Sequence, residues 1–194
     1  MADSSARTNR ERHVPDLQTS RLALTRIRPT DVHAVFELFS DPKVLEYYDL
    51  EPLAALPDAE RLMQVFESRF SSMTGIRWAI REHGSDSLIG TCGFNSWNRK
   101  MRHGSIGYEL KQSHWRQGLA TEAVTRVVYA AFSGLLPCGR LHRIQADTVL
   151  GNAASERLLL RLGFKEEGIR RDAMYIRGSY WDMKCFGLVD RPAR

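Results

Sequence analysis

Between residues 107 and 123 the chain reads Gly-Tyr-Glu-Leu-Lys-Gln-Ser-His-Trp-Arg-Gln-Gly-Leu-Ala-Thr-Glu-Ala. The pattern predicts a strand, a short basic loop and the start of a helix. Arg116, Gln117, Gly118, Leu119 and Ala120 fall at the turn into that helix. Small residues at such a turn let backbone N–H groups face outward with no side chain in the way. The first helical turn carries unpaired N–H donors and the positive end of the helix dipole. Together these features make a seat for a phosphate or diphosphate. Taken alone, Gly118-Leu119-Ala120 also suits an ordinary helix start packed through small residues, and short glycine motifs often match by chance.

The elements that must position this turn are read from periodicity. Arg21 to Ile27 alternates as a strand, and Pro29-Thr30-Asp31 opens a helix to about Ser40. A proline-rich loop over 42–57 carries Tyr47 and Tyr48, and Pro57-Asp58 opens a helix to about Met73. Strands are expected at Ile76–Arg81, Leu88–Trp97 and His103–Leu110, then the motif helix from Gln117 to about Ser133. A strand at Leu141–Thr148, a helix at Asn152–Leu162 stopped by Gly163, and two final strands around Gly178 complete the chain. The order β-α-α-β-β-β-α-β-α-β-β is not the plain alternation of a doubly wound sheet, and the chain has no internal repeat.

Three blocks in this order carry a resemblance. The first is Gly118 and Ala120, followed by Thr121-Glu122-Ala123, with Trp115 where the usual motif has Gln or Arg. The second is Asn152-Ala153-Ala154-Ser155 with Leu158-Leu159 and Leu162-Gly163-Phe164, and the third is Gly178-Ser179-Tyr180-Trp181-Asp182. Over about residues 17–189 the chain resembles the GNAT N-acetyltransferase superfamily, in its ribosomal-protein alanine acetyltransferase (RimJ/RimL-like) branch. The resemblance implies an α+β (mixed α/β) fold: a twisted, mostly antiparallel sheet of about seven strands with a splayed parallel pair, flanked by about four helices. It implies acetyl-CoA as co-substrate and no metal. The pantetheine arm is expected in the gap between the two splayed strands, beside Leu110, Lys111 and Asn152. The diphosphate is expected on the amides of Gln117 to Thr121, near Arg116.

Acetyl transfer to an amine needs a base for the amine, a polariser for the thioester carbonyl and a donor for the leaving sulfur. Glu109, at the end of the splayed strand, is the candidate base, and burial there would raise its pKa. A backbone N–H of Tyr108 or Leu110 is the candidate polariser. Leu159 stands where many members of the superfamily carry a tyrosine acid. Ser155 is the residue that the resembled branch uses to support the thiolate, chiefly by a hydrogen bond. Asn152 and Ser155 also suit helix capping. An acceptor entering between the 42–57 loop and the last two strands would meet Tyr47, Tyr48, Trp97 and Tyr175, an aromatic wall able to hold a cation.

Composition narrows the class. The 194 residues are 43% hydrophobic with a net charge of +5, which suits one domain over 16–190 behind a loose tail at 1–15. No apolar run approaches the ~20 residues of a membrane span. Basic residues are diffuse; the densest group, Arg99, Lys100, Arg102 and His103, reads as a solvated turn, not a nucleic-acid contact. Cys92, Cys138 and Cys185 lack metal spacing and fit reduced thiols in the cytoplasm. Three readings stay open: acetylation of a protein N-terminus, acetylation of a small amine such as an antibiotic or polyamine, and a non-catalytic acyl-CoA sensor. The chain is expected to act as a monomer or homodimer.

Overall fold

A computed structural model describes residues 13–190. Eight strands form one sheet: β1 (Leu17–Gln18), β2 (Leu22–Arg26), β3 (Ile76–Glu82), β4 (Gly90–Asn98), β5 (His103–Leu110), β6 (Arg143–Val149), β7 (Lys165–Ile176) and β8 (Ser179–Val189). Their spatial order is β1-β2-β3-β4-β5-β6-β8-β7. All neighbours are antiparallel except β5 and β6. Four α-helices flank it: α1 (Val32–Ser40), α2 (Leu56–Ser71), α3 (Leu119–Phe132) and α4 (Ala153–Arg161). The expected element order holds. The extra strand is the two-residue β1, too short to show a period.

Strand alternation divides the sheet into two faces. One face of β3 to β6 presents Trp78, Ile80, Cys92, Phe94, Ile106 and Ile144 to α3 and to Leu159 of α4, forming the main core. The other face sends Ala79 toward a second cluster built from α1 and α2 with Leu45 and Leu88. The expected tail at 1–15 falls mostly outside the described residues. Of its last three residues, Val14 is buried in the main core and the Pro15 carbonyl accepts a hydrogen bond from Trp78 Nε1 at 2.7 Å.

The parallel pair decides what the fold can do. β5 and β6 pair only at His103–Arg143, Gly104–Ile144 and Ser105–Gln145. Beyond that point β5 stays paired with β4 as far as Leu110, and β6 stays paired with β8 as far as Val149. The two strands therefore diverge. Their facing edges keep backbone donors and acceptors that no ladder uses, and buried groups of that kind need a partner.

Candidate active site

The divergence opens into a cleft of about 790 Å³. It is lined by the end of β5, the start of α3, the end of β6, the start of α4 and the loop carrying Tyr47 and Tyr48. Gly118 precedes α3 with φ at 78° and offers no side-chain cap. The first helical hydrogen bond of α3 runs from the Glu122 N–H to the Gly118 carbonyl at 3.0 Å. The N–H groups of Leu119, Ala120 and Thr121 thus have no acceptor inside the helix, and all three residues line the cleft. Arg116, also in the lining, has a positive φ of 61°, an uncommon conformation for a residue with a side chain. Trp115 ties this loop to the sheet: its Nε1 donates to the Leu110 carbonyl at 2.7 Å.

Glu109 is buried on the α1/α2 face. Thr91 Oγ1 donates to its Oε2 at 2.6 Å, and Arg77 Nη1 lies 3.5 Å from the same oxygen. Arg77 is itself held by the Gly107 carbonyl (2.8 Å) and Asn95 Oδ1 (2.7 Å), and it stacks over Phe66. A Cβ on Gly107 would come within 2.8 Å of the Asn95 amide, so glycine there keeps this crossing open. Burial was expected at Glu109, but a guanidinium counter-charge was not. The second carboxylate oxygen, Oε1, is buried and has no hydrogen-bond partner. An unsatisfied charged oxygen is costly unless something fills the place. Glu109 lines the cleft, so this oxygen is the strongest sign of a ligand in the site.

On the opposite face, Tyr108 Oη and Ser155 Oγ lie 2.7 Å apart, both lining the cleft. Burial pushes the Tyr108 phenol up, with the Ser155 hydrogen bond pulling the other way; the phenol keeps its proton and can share it with Ser155 in a hydrogen bond. Asn152 Oδ1 accepts from the Ser155 N–H at 3.1 Å as the cap of α4, which leaves its amide NH₂ for the cleft. Leu159 is fully buried in the core. Thr148 Oγ1, on β6, is a second buried polar atom without a partner in the lining.

The structure brings together Glu109, Leu110, Arg116, Gly118, Leu119, Ala120, Thr121, Asn152, Ser155, Tyr47 and Tyr48. It sets four expected residues apart. The Lys111 ammonium pairs with Glu37 at 2.7 Å and its N–H with the Ile89 carbonyl. The Gln117 side chain donates to the Ser113 carbonyl, leaving only its backbone in the turn. Trp97 is core: a register shift between Phe94 and Ser96 adds one residue to β4 and reverses the facing of the residues beyond it. Tyr175 pairs with Tyr180 across the last two strands, ring centroids 5.0 Å apart, and is 60% exposed, while its neighbour Met174 lines the cleft. Tyr48 is no free wall either. It packs edge-on against Phe39 and approaches Arg77 at 3.4 Å, and burial, then the charge of Glu109, pushes its phenol up. Sequence reasoning missed Tyr108 as a side chain, Arg77 and Thr91; a buried arginine two strands from a glutamate has no local signal.

Residues 21–165 match the family described as the acetyltransferase (GNAT) domain. The chain belongs to the GNAT acetyltransferases. Among relatives, the N-acetyltransferase YoaA of Bacillus subtilis (strain 168), uncharacterised, is 39% identical over 175 residues, covering 90% of this chain and 97% of its own. Two solved structures share the fold at low identity. One is the Salmonella typhimurium acetyltransferase that modifies the N-terminal serine of ribosomal protein L7/L12 (TM-score 0.81, 18% identity, 91% of this chain and 100% of that one). The other is the spermidine N-acetyltransferase of Vibrio cholerae in complex with CoA and spermine (TM-score 0.76, 22% identity, 88% and 96%). The GNAT chain is an acyltransferase whose co-substrate is acetyl-CoA. Its open helix start and splayed strands fit that ligand. Among the described residues, no group of three or more His, Cys, Asp or Glu could hold a metal ion, and no helix is long and apolar enough to cross a membrane.

Proposed function

We propose that this GNAT enzyme acetylates the α-amine of a protein or peptide N-terminus, with Glu109 as the base and the Ser155–Tyr108 pair as the donor to sulfur. The observation that carries the base is the buried, unpartnered Glu109 Oε1. Thr91 and Arg77 hold the other oxygen, so the carboxylate is oriented before an amine arrives. Acetyl-CoA, when bound, supplies the acetyl group as an activated thioester. The N–H groups of Leu119, Ala120 and Thr121, with Arg116, would hold its diphosphate, and Asn152 with the open edges of β5 and β6 its pantetheine arm. Glu109 takes the amine proton at Oε1. Ser155 donates a hydrogen bond to the departing thiolate and Tyr108 orients that hydroxyl across 2.7 Å; both hydroxyls keep their protons, and the thiolate takes its own from solvent.

An α-amine, with a pKa near ~8, needs less help from a base than lysine at ~10.4. A carboxylate already stabilised by a guanidinium suits that easier task. The fold shared with an enzyme that acts on a ribosomal N-terminus is compatible with the same choice. The fold shared with a spermidine acetyltransferase is compatible with a small amine as the second reading, and Glu46 and Asp49 in the cleft wall would favour a polycation. A thiol-release assay with acetyl-CoA across N-terminal peptides, polyamines and aminoglycosides decides between them. The proposal expects peptide α-amines to give the highest kcat/KM. Higher values for polyamines would replace it with the second reading, and CoA binding without thiol release under any amine would point to a sensor.

The donor pair makes its own prediction. Ser155→Ala is expected to lower kcat by about tenfold or more, the size of losing one hydrogen bond to a charged group. Tyr108→Phe should give a smaller loss and leave CoA affinity unchanged. Steady-state kinetics at saturating acetyl-CoA check both. Equal, undiminished rates would remove the pair from the chemistry.

A further inference from the structure

We propose that Arg21 and Glu122 form a clamp that presets the diphosphate turn for CoA and cancels a negative charge beside it. The proposal rests on the co-substrate seat described above. Glu122 lies in the first turn of α3, next to the free N–H groups. A bare carboxylate there would compete with an incoming diphosphate for the same positive helix end. Instead it is tied to the turn between β1 and β2. Thr19 Oγ1 (2.5 Å), Ser20 Oγ (3.1 Å) and the Arg21 N–H (2.9 Å) donate to Oε1, and Arg21 Nε (2.7 Å) donates to Oε2. Arg21 Nη2 lies 2.6 Å from Oε2. Burial alone would push the Glu122 carboxyl up. The hydrogen bonds from Thr19, Arg21 and Ser20 outweigh it and hold the group at about 2.

The same guanidinium also reaches the turn. Arg21 Nη1 donates to the Gln117 carbonyl at 3.0 Å. The peptide linking Gln117 to Gly118 is planar and trans, so its C=O and N–H point in opposite directions. Holding the Gln117 carbonyl toward Arg21 therefore turns the Gly118 N–H away from Arg21. Space is not what Gly118 supplies, since a Cβ on it would meet Arg21 Nη2 at 3.6 Å, an ordinary contact; glycine suits the φ of 78° that the turn requires. Arg21 is thus a positioning residue that acts through the turn and through Glu122. Two segments 101 residues apart are joined by one side chain at the place where the anion must sit.

The test is CoA affinity by calorimetry, with kinetics, for wild type, Arg21→Ala, Glu122→Gln and the double variant, each at low and high salt and each with a melting curve. Arg21→Ala is expected to weaken CoA binding on the order of tenfold, the size of one charge-assisted hydrogen bond. Its kcat at saturating acetyl-CoA should stay within about twofold of wild type, because the clamp touches no reacting atom. Adding Glu122→Gln to Arg21→Ala should recover about threefold or more of the lost affinity by removing a carboxylate that has lost its guanidinium counter-charge and keeps only the Thr19, Ser20 and backbone hydrogen bonds, and high salt should shrink that recovery. A merely structural clamp would not be rescued by losing its second half. CoA affinity unchanged in Arg21→Ala, or no recovery in the double variant, overturns the proposal. Should Arg21→Ala fail to fold, Arg21→Lys carries the test, expected to weaken binding by about threefold; wild-type affinity there overturns it. Failure of the wild-type protein to bind CoA would overturn the co-substrate seat itself.

Discussion

Replacing Glu109 with glutamine is expected to lower turnover by about a hundredfold or more, the scale of losing a positioned base, while CoA affinity stays at its wild-type value. The substitution keeps size and keeps an oxygen for the Thr91 hydroxyl, which now lies 2.6 Å from Oε2. It removes the lone pairs and charge of Oε1, the buried oxygen without a partner. The diphosphate seat lies at the start of α3 and the carboxylate on β5, so binding and proton transfer separate cleanly. Burst and steady-state measurements with the best acceptor, beside calorimetry with CoA, check the split. Undiminished turnover would pass the proton to water or another group and leave Glu109 a structural partner of Arg77. A loss of CoA affinity equal to the loss of rate would mean that the variant disturbs the cleft and not the chemistry.

Why Glu109 was legible and Arg77 was not is a matter of distance along the chain. The strand, basic loop and helix of 107–123 are contiguous, and each has a local signature: a strand pattern, a cluster of basic residues with a glycine at the turn, small residues at a helix start. The same holds for Asn152 and Ser155, where a cap and the turn after it sit three residues apart. The splay of β5 from β6 is different. Nothing local announces that pairing stops after Ser105–Gln145; that came from likeness to a fold and is seen in the register. Trp97 failed for a specific reason. Strict alternation places it on the face of Asn95, but the bulge inserts one residue and turns its indole into the core. The same bulge leaves Asn95 free to accept from Arg77, so the irregularity that misled the reading of Trp97 helps to build the site. Lys111 and Tyr175 sit at strand ends, where the sequence gives position without direction. One turned to Glu37, the other to Tyr180.

The buried pair makes the largest prediction about stability. Arg77 and Glu109 each have side chains about 3% exposed, 3.5 Å apart, so removing one leaves the other charged in a place with little water. Arg77→Met is expected to cost about 3–5 kcal/mol, the usual penalty for breaking a buried ion pair from one side. Methionine fills much of the space against Phe66, so the loss reports the stranded Glu109 carboxylate more than a cavity. The double variant Arg77→Met/Glu109→Gln should recover a large part of that cost, since both charges are then gone. Urea unfolding of the four proteins measures the coupling directly. A cost below about 1 kcal/mol for Arg77→Met, ordinary for a surface change, would mean that the carboxylate finds water or a proton without the guanidinium. Activity adds a second arm. If Arg77 orients the carboxylate as well as stabilising it, the folded fraction of Arg77→Met should show a lower kcat with CoA affinity intact, because the guanidinium touches Glu109, Asn95 and Gly107 and no part of the α3 turn.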